Sequence, residues 1–293
     1  MVKKILLVCV IGLFLSRTPQ THTIYLPIIQ QPAPQGKSGI AWNKAGYNDV
    51  SDFGFSRYHV WTIDGMSQEE VSPERWENIK GLVNEPYFSC PVRPYSAMNS
   101  DEPVQEDLVE QLQILATTSY DGIVYFLNEP NHPGQCTMSP TEAAQMYSEV
   151  VTICPRCKFT MPNVSDWDYL ANWSWTREYL GIMQAIHAPQ PIYGAFHTYK
   201  YPVTPMVDSY LLLLSEYQLD VNVVITEYGN CDPQTAVAMH NDLLSDDRVE
   251  RMFWFTATGY GCTDLFIGTG DNSLTELGSY FRLNINRSNN VLR

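Results

Sequence analysis

The sequence has few basic residues for its length. Its 293 residues include 18 Lys and Arg against 32 Asp and Glu, which gives a formal net charge of -14 at pH 7 and a pI near 4.7. A chain with this charge repels phosphate backbones, so we expect no nucleic-acid partner. Hydrophobic residues make up 44% and aromatic residues 12%. This composition excludes a disordered chain and favours an exported protein that handles neutral, hydrated ligands.

Motifs for nucleotide and metal binding are also missing. No Gly-x-Gly-x-x-Gly segment follows the first predicted strand, and there is no phosphate-binding loop, His-Glu-x-x-His segment or comparable ligand spacing. These absences count against an open, doubly wound sheet that binds a dinucleotide, although that fold stays the structural alternative. We therefore expect no catalytic metal and no cofactor.

The apolar run at the N-terminus is too short to cross a membrane, which takes roughly 20 residues. It spans residues 5–15, follows Lys3 and Lys4, and precedes a polar stretch, which is typical of a secretory signal peptide. We predict a signal peptide over residues 1–18 and a secreted or extracellular protein, with a periplasmic or cell-surface location still open. An uncleaved anchor is the alternative.

The cysteine count indicates disulfides. Of the seven cysteines, Cys9 lies in the predicted signal peptide, and the remaining even number favours three disulfides in an oxidising compartment. Cys154 and Cys157 form a Cys-x-x-Cys segment that could also be half a zinc site or a redox pair. Because no second such segment exists, a local disulfide is favoured. The paired set is predicted to be Cys90, Cys136, Cys154, Cys157, Cys231 and Cys262.

A regular alternation of strands and helices follows a proline-rich leader or linker at residues 19–38. Eight apolar, β-branched or aromatic runs are typical of buried parallel strands, with helical patterns between them. Eight such units, within the roughly 250 residues that such folds use, predict one α/β domain at 39–293, a single (β/α)₈ TIM barrel. The predicted strands are residues 39–42, 55–61, 87–92, 122–127, 158–161, 192–197, 221–226 and 251–256.

Helical periodicity separates the predicted strands. The strongest start signal is at Ser139, which can cap a helix with Pro140 in its first position and Glu142 closing a capping box. The connection at residues 43–52 is thin, and the final helix at 272–281 is weakly marked. The other predicted helices are residues 73–83, 107–116, 140–153, 168–186, 205–217 and 233–245.

Two glutamates stand where predicted strands end. The fourth strand runs into Asn128 and Glu129, and the seventh delivers Glu227 directly after Thr226. Functional residues of a barrel lie at the C-terminal ends of its strands, so these acids should face each other across the mouth. Two opposed carboxylates are what glycoside hydrolysis requires, because one protonates the leaving oxygen while the other attacks or activates water.

A second Asn-Glu-Pro tripeptide, at residues 84–86, tests how much the strand context matters. It follows a predicted helix and precedes the third predicted strand. We therefore expect Glu85 to lie at a helix exit on the opposite face of the barrel, where residues serve stability.

Other polar and aromatic residues are predicted at neighbouring strand ends. A hydrogen bond from His197 or Tyr199 to Glu227 would keep that carboxylate ionised, and the face of Trp254 could stack on a sugar ring. His132, in the loop beside the first acid, could contact a leaving-group sugar. The second strand contributes Arg57, His59 and Trp61.

The segments Leu127-Asn128-Glu129-Pro130-Asn131 and Ile225-Thr226-Glu227-Tyr228-Gly229, with His197-x-Tyr199 between them, resemble the retaining glycoside hydrolases of clan A. Within that clan they are most similar to the alkali-sensitive-linkage-protein-like domain of family 128, whose characterised members act on β-1,3-glucans. The resemblance covers roughly residues 39–283.

The resemblance implies roles for individual residues. Glu129 would be the acid/base, Glu227 the nucleophile and Asn128 a partner of the sugar 2-hydroxyl, with His197 or Tyr199 beside the nucleophile. Trp254 would form the aromatic platform at subsite −1, and Arg57 resembles a strand-two arginine of parts of the clan. The full predicted substrate-binding set is Asn128, His197, Tyr199, Trp254, Trp61, Arg57 and Asn131.

Within such a barrel, cysteines of neighbouring units can be bridged. Cys90 lies in the third predicted strand and Cys136 after the fourth, while Cys231 follows the seventh and Cys262 the eighth. We therefore expect Cys90–Cys136 and Cys231–Cys262 disulfides, each of which would hold the loop after a catalytic acid.

These observations predict a secreted, monomeric, retaining endo-glycosidase that hydrolyses a β-linked polysaccharide, with β-1,3-glucan favoured. Glu129 should be protonated until it donates, and Glu227 should be ionised and form the glycosyl intermediate. The alternatives are a non-catalytic carbohydrate-binding barrel, or a clan relative with another specificity such as a xylosidase, galactanase or mannanase.

Overall fold

A computed structural model provides the architecture of the chain. The predicted signal peptide, most of the predicted leader, Trp61 and Cys90 lie outside the described residues. In the described part of the chain, no helix is long and apolar enough to cross a membrane. The structure describes residues 37–41, 53, 55–59, 83–85, 87–88, 109, 112–113, 115–116, 121–133, 135–256, 261–268 and 271–290.

Parallel strands form the centre of the molecule, as predicted, and each predicted strand range overlaps an observed strand. One sheet contains β1 (Ser38–Ala41), β2 (Arg57–His59), β3 (Val83–Asn84), β7 (Gly194–Thr198), β8 (Val223–Tyr228) and β9 (Val249–Phe255). Its order is β3-β2-β1-β9-β8-β7, and every pairing is parallel. A second parallel sheet contains β4 (Tyr87–Phe88), β5 (Ile123–Asn128) and β6 (Lys158–Asn163), in that order.

The two sheets are linked at both of their ends. Thr160 and Val164 form parallel bridges to Tyr193 and Phe196, which joins the β6 side of one sheet to the β7 side of the other. At the opposite edges, β3 and β4 follow one another in the chain with only residues 85 and 86 between them. The predicted third strand, 87–92, therefore overlaps β4 only, and β3 precedes it where the end of the predicted helix 73–83 was expected.

The helices follow the predicted periodicity, and two of them have the predicted bounds. The capping box is present at the start of α1, where the Ser139 side chain accepts from the Glu142 amide and the Glu142 carboxylate accepts from the Ser139 amide. Helical residues at 109, 112–113 and 115–116 lie within the predicted helix 107–116. The helices are α1 (Pro140–Ile153), α2 (Asp166–Leu170), α3 (Ser174–Ala185), α4 (Thr204–Glu216), α5 (Pro233–Ser245) and α6 (Glu276–Asn290).

The predicted helix at 168–186 is in fact two helices. Asn172 and Trp173 adopt left-handed backbone conformations, with φ of 55° and 56°, which end α2 and redirect the chain. Asp168 then accepts hydrogen bonds from the amides of Trp175 and Thr176 and from the Thr176 hydroxyl, which satisfies the free donors at the start of α3.

The predicted last helix, at 272–281, begins too early. Residues Asp271–Leu274 form strand β11, which pairs antiparallel with β10 (Phe266–Gly268), and the helix α6 starts only at Glu276. The first residues of the predicted helix are therefore part of a β-hairpin.

The buried apolar residues form two clusters because strand side chains alternate between faces. The larger cluster lies between the sheets and the helices, and contains Val223 and Ile225 of β8 together with helix residues such as Tyr210 and Met239. The smaller cluster lies on the other face of the strands. Its members are Ala41, Tyr87, Ile123, Tyr125, Ala195, Val224 and Phe253.

Two of the predicted disulfides are present. Cys154 pairs with Cys157 directly after α1, and Cys231 pairs with Cys262, with Cα–Cα distances of 5.4 and 5.0 Å. Cys136 is also disulfide-bonded, and its predicted partner lies outside the described residues. The Cys231–Cys262 bond ties the loop after β8 to the segment after β9.

Candidate active site

The structure brings the two predicted acids to one histidine. Asn128 ends β5 and Glu129 follows it, while Glu227 is the next-to-last residue of β8. Nδ1 of His197 lies 3.0 Å from Oε1 of Glu129 and 3.4 Å from Oε2 of Glu227. The side chains of Glu129 and Glu227 are only 12% and 7% exposed, and that of His197 is fully buried. The site therefore holds three ionisable groups within a largely enclosed space.

An irregular backbone presents Glu129 at the end of β5. Leu127 and Glu129 have positive φ angles of 57° and 46°, a conformation that L-residues rarely adopt and that surrounding contacts must hold. The Glu129 amide donates to the Asn163 carbonyl at 2.8 Å. The Asn163 side-chain amide donates to the carbonyls of Phe126 and Leu127 at 2.9 and 3.1 Å. Asn163 thus fixes the backbone that carries the acid.

The same asparagine reaches the second acidic strand. The Thr226 hydroxyl donates to Oδ1 of Asn163 at 2.9 Å, one residue before Glu227. Pairing of β8 shifts register between Ile225 and Tyr228, and such irregularities redirect side chains. The shift matters because strict alternation from Val224 would turn Glu227 toward the helices. Sequence reasoning missed Asn163, since nothing in its local pattern distinguishes it from any polar residue at a strand end.

His197 donates from both ring nitrogens. The Tyr87 hydroxyl donates to Oδ1 of Asn128 at 2.8 Å, so it accepts from Nε2 of His197 at 3.0 Å. Nδ1 faces the carboxylates, which accept. Burial lowers the pKa of His197, but the charges of Glu227 and Glu129 and the hydrogen bond to Glu129 outweigh it, and its pKa lies above the ordinary value. The hydrogen-bond pattern indicates an imidazolium, and the direction of the pKa shift favours it.

The surroundings of the two acids shift their pKa values in opposite directions. Burial, together with the charge of Glu129, raises the pKa of Glu227 to about 7, against the lowering effects of His197 and Tyr199. Burial also raises the pKa of Glu129, but the hydrogen bond and charge of His197 outweigh it and hold that pKa below the ordinary value. Below about pH 7 the substrate-free site therefore favours a proton on Glu227, because Glu227 is more enclosed and His197 is nearer to Glu129.

Tyr199 lies beside Glu227, as one of the two predicted neighbours. Its hydroxyl donates to Oε2 of Glu227 at 2.5 Å, and burial and the neighbouring carboxylates raise the pKa of Tyr199 well above its ordinary value. The hydroxyl therefore remains a donor. The Phe255 ring, at the end of β9, packs edge-on against the Tyr199 ring with centroids 6.0 Å apart.

The predicted role of Trp254 as a sugar platform is wrong. Trp254 is fully buried, its indole N–H donates to the Thr263 carbonyl, and its ring packs against Tyr228 and Phe281 on the helix side of the sheet. The error arises because side chains of β9 alternate between the two faces of the sheet. Phe253 belongs to the smaller buried cluster, so Trp254 faces the helices. The neighbouring aromatic at the acids is Phe255, one residue later.

Arg57 and the second tripeptide meet away from the strand ends. Glu85 is buried between β3 and β4 and not at a helix exit, so that prediction is wrong. Arg57 at the start of β2 pairs with the Glu85 carboxylate at 2.5 Å, and the Tyr125 hydroxyl donates to the same group. The Arg251 guanidinium lies 3.6 Å from it. The charge of Arg57 is thus engaged by Glu85.

The other predicted residues have these positions. Asn131 joins the loops after β5 and β6, since its side chain donates to the Ser165 hydroxyl at 3.1 Å and accepts from the Ser165 amide at 2.9 Å. His59 is buried below the acids and donates from Nε2 to the Thr226 carbonyl at 2.8 Å. Burial lowers the pKa of His59 to about 3, so it is neutral. Within the described ranges, no group of three or more His, Cys, Asp or Glu is arranged to hold a metal ion.

The chain matches the sequence model of a family described as the glycosyl hydrolase catalytic core, over residues 95–281. This range includes β5, β8 and β9, and so both acids. A search of curated proteins returned no significant match.

Solved structures of family 128 enzymes have the same fold. A subgroup I endo-β-1,3-glucanase from Amycolatopsis mediterranei, solved with laminaritriose, has 18% identity and a TM-score of 0.61, with 85% of this chain and 99% of that one covered. A subgroup II endo-β-1,3-glucanase from Pseudomonas viridiflava has 22% identity, a TM-score of 0.57 and coverage of 84% and 96%. A subgroup III curdlan-specific exo-β-1,3-glucanase from Blastomyces gilchristii, solved with glucose, has 20% identity, a TM-score of 0.56 and coverage of 84% and 97%.

At these identities the structural similarity establishes the fold. The family match spans more than half of the chain and carries the assignment. The chain belongs to the glycosyl hydrolase catalytic core family and is a glycoside hydrolase.

Proposed function

We propose that the chain is a retaining, endo-acting β-1,3-glucan hydrolase of family 128, in which Glu129 is the acid/base and Glu227 the nucleophile. The observation that carries this proposal is the contact of both carboxylates with one nitrogen of His197. Its distances limit the separation of the two contacting oxygens to at most about 6.4 Å, which is compatible with the roughly 5–5.5 Å between the carboxyl groups of retaining enzymes. The family 128 relatives that act on β-1,3-glucans support the substrate.

The proposed reaction proceeds in two displacements. The Glu227 carboxylate attacks the anomeric carbon while Glu129 protonates the glycosidic oxygen, which leaves as a free hydroxyl of the departing glucan. Glu129, now a carboxylate, takes a proton from water as the water attacks the glycosyl intermediate. This step releases Glu227 and regenerates the acid form of Glu129, so that the sugar keeps its anomeric configuration.

His197 resolves the mismatch between the substrate-free protonation and this mechanism. The imidazolium can give its Nδ1 proton to Glu129 and take the proton of Glu227 in return, because both oxygens contact that nitrogen. The exchange leaves Glu227 ionised, Glu129 protonated and His197 still charged. Tyr199 then stabilises the Glu227 carboxylate through its hydroxyl. The Tyr87 hydroxyl donates to Oδ1 of Asn128 and so fixes the orientation of the side-chain amide. The NH₂ group of Asn128 is then the proposed donor to the 2-hydroxyl of the sugar.

We propose in addition that the two sheets form one closed (β/α)₈ barrel. The parallel bridges between β6 and β7 and the continuity of β3 and β4 in the chain support closure. The proposed acids then lie at the C-terminal strand ends, where barrel enzymes carry their active sites.

Export is also a proposal. The Cys154–Cys157 and Cys231–Cys262 disulfides support it, since disulfides persist in oxidising compartments. N-terminal sequencing of protein recovered from the culture medium checks it, and a mature chain that begins after residue 18 is the expected result.

Substitution of the two acids tests the mechanism. Glu129→Gln and Glu227→Gln should each lower kcat on laminarin by about 10²-fold or more, because each removes a group that reacts directly. Glu216→Gln, on the surface, is the control. With laminaribiosyl fluoride and azide, Glu227→Ala should recover turnover to the product of inverted anomeric configuration, and Glu129→Ala to the retained one. Full activity of Glu227→Gln would contradict the assignment.

A polysaccharide screen with product sizing tests the substrate. Laminarin should be cleaved to oligosaccharides of mixed length, whereas xylan, galactan and mannan should not. Release of glucose alone would indicate exo action. Binding to laminarin in a gel-shift assay without release of reducing ends would indicate a carbohydrate-binding barrel instead.

A further inference from the structure

An exposed tryptophan lies beside the proposed acid/base. Trp167, in the short helix α2, is 55% exposed, and its ring lies against the His132 imidazole with centroids 4.7 Å apart and planes at 55°. Tryptophan has the largest apolar surface of any side chain, so a half-exposed ring held in this way is an aromatic surface open to a ligand.

Hydrogen bonds fix this ring pair relative to Glu129. The His132 amide donates to the Glu129 carbonyl at 2.9 Å, which closes a turn directly after the acid. The two hydrogen bonds between Asn131 and Ser165 join this turn to the segment that precedes Trp167. The loops after β5 and β6 therefore form one unit that carries the acid at one end and the indole at the other.

Charge also places the imidazole of His132 near the acid. Burial raises the pKa of Glu129, while His197 and then His132 lower it, so His132 is within electrostatic range of the carboxyl. Beside Trp167, Asp166 forms an ion pair with Lys200, the residue after Tyr199, at 3.4 Å. The border of the aromatic surface thus carries charged groups that can bind sugar hydroxyls.

We propose that Trp167, supported by His132, is the platform that binds the glucosyl unit on the leaving-group side of the scissile bond. This inference rests on the proposed function. The acid donates its proton to the oxygen of the leaving sugar, so residues in the loop of Glu129 lie on that side. Tyr199 contacts Glu227 and Phe255 packs against Tyr199, so we assign this pair to the sugar that becomes attached to the enzyme. The C–H face of a pyranose provides the apolar surface that an indole ring stacks on.

A comparison of two substrates tests the platform. Laminarin places a sugar on the leaving-group side, whereas the fluoride of laminaribiosyl fluoride leaves without one. Trp167→Ala should lower the ratio of kcat/KM for laminarin to kcat/KM for the fluoride by about tenfold. Trp167→Phe should recover most of the ratio. Leu170→Ala, which removes an exposed apolar side chain from the same helix, should leave the ratio at the wild-type value.

A second readout follows from the glycosyl intermediate. With the fluoride as donor and added laminaribiose as acceptor, Trp167→Ala should reduce the fraction of product formed by transglycosylation relative to hydrolysis. If the wild type hydrolyses both substrates and Trp167→Ala leaves both the ratio and this fraction unchanged, the proposed role of Trp167 is wrong and the proposed function still stands. If the wild type releases neither fluoride nor reducing ends, the proposed function falls as well.

Discussion

The Nδ1 atom of His197 contacts both proposed acids, and its position decides how two protons are shared among three groups. The carboxylates hold His197 charged, and the charged ring holds Glu129 ionised. Glu227, the more enclosed acid, retains a proton up to about pH 7. The Tyr199 hydroxyl donates to Glu227, and this hydrogen bond lowers the pKa of Glu227 and favours the ionised form that a nucleophile requires.

Tyr199→Phe should therefore change the pH dependence of the reaction. The reaction uses the proton that Glu227 holds below about pH 7, because this proton passes through His197 to Glu129. Loss of that proton sets the basic limb of kcat/KM, and loss of the Tyr199 donor raises the pKa of Glu227 further. The basic limb should move upward by about one pH unit, so activity at pH 6 falls more than activity at pH 8. The measurement is kcat/KM on laminarin from pH 4 to 9, with the half-exposed Tyr201→Phe as control. A basic limb at the wild-type position in Tyr199→Phe would contradict this role.

Strand ends, rather than whole strands, carry the chemistry. The positions of Glu129 and Glu227 could be predicted because an apolar run that stops at an acid is visible in sequence. The left-handed backbone at Leu127 and the register shift in β8 could not, since both depend on neighbours in other strands. Trp254 illustrates the same limit. Neighbouring residues of a strand face opposite sides of the sheet, so an error of one residue moves a side chain from the active-site side to the helix side.

Helices show where local signals suffice. The helix α1 has the predicted bounds because Ser139, Pro140 and Glu142 act within four residues. The break before α3 was not predictable, since Asn172 and Trp173 are not the usual residues of a left-handed turn. Among the site residues, Tyr87 and Asn163 were missed for a similar reason, because each acts through a contact distant in sequence.

Asn163→Ala should separate positioning from stability. It removes donors from the carbonyls of Phe126 and Leu127 and an acceptor from Thr226, all buried, so we expect a loss of about 2–4 kcal/mol and a lower Tm. We also expect kcat, measured well below Tm, to fall at least about tenfold with little change in KM, since Glu129 is displaced.

Thr160→Val is the matched control for this prediction. Thr160 is also fully buried and joins β5 to β6, through the Phe126 amide, but it lies further from the acids along β6. Its substitution should lower Tm and leave kcat near the wild-type value. Equal kcat values for the two variants would show that Asn163 acts only through stability.

At the scale of the whole molecule, one buried carboxylate connects both sheets. Glu85 lies between β3 and β4 and contacts Arg57 of β2, Tyr125 of β5 and Arg251 of β9. These partners come from three strands of two sheets. The length of the chain and its strand pattern could predict parallel strands, but not that an ionic group is buried between the two sheets, because Glu85 was expected at a helix exit.

Glu85→Gln should therefore weaken the fold and spare catalysis. Removing the charge takes away the buried carboxylate that Arg57 and Arg251 share, and breaking a buried pair costs about 3–5 kcal/mol. Thermal unfolding should show a Tm several degrees lower, while kcat on laminarin below that temperature stays near the wild-type value. Glu216→Gln breaks an exposed ion pair with Arg177 and should change stability by less than about 1 kcal/mol.

The matching Asn-Glu-Pro tripeptide provides a contrasting variant. Glu129→Gln should abolish most of the activity and leave Tm near the wild-type value. If Glu85→Gln abolished turnover at an unchanged Tm, Glu85 would belong to the reaction, because a carboxylate that only holds strands together affects the rate through unfolding alone.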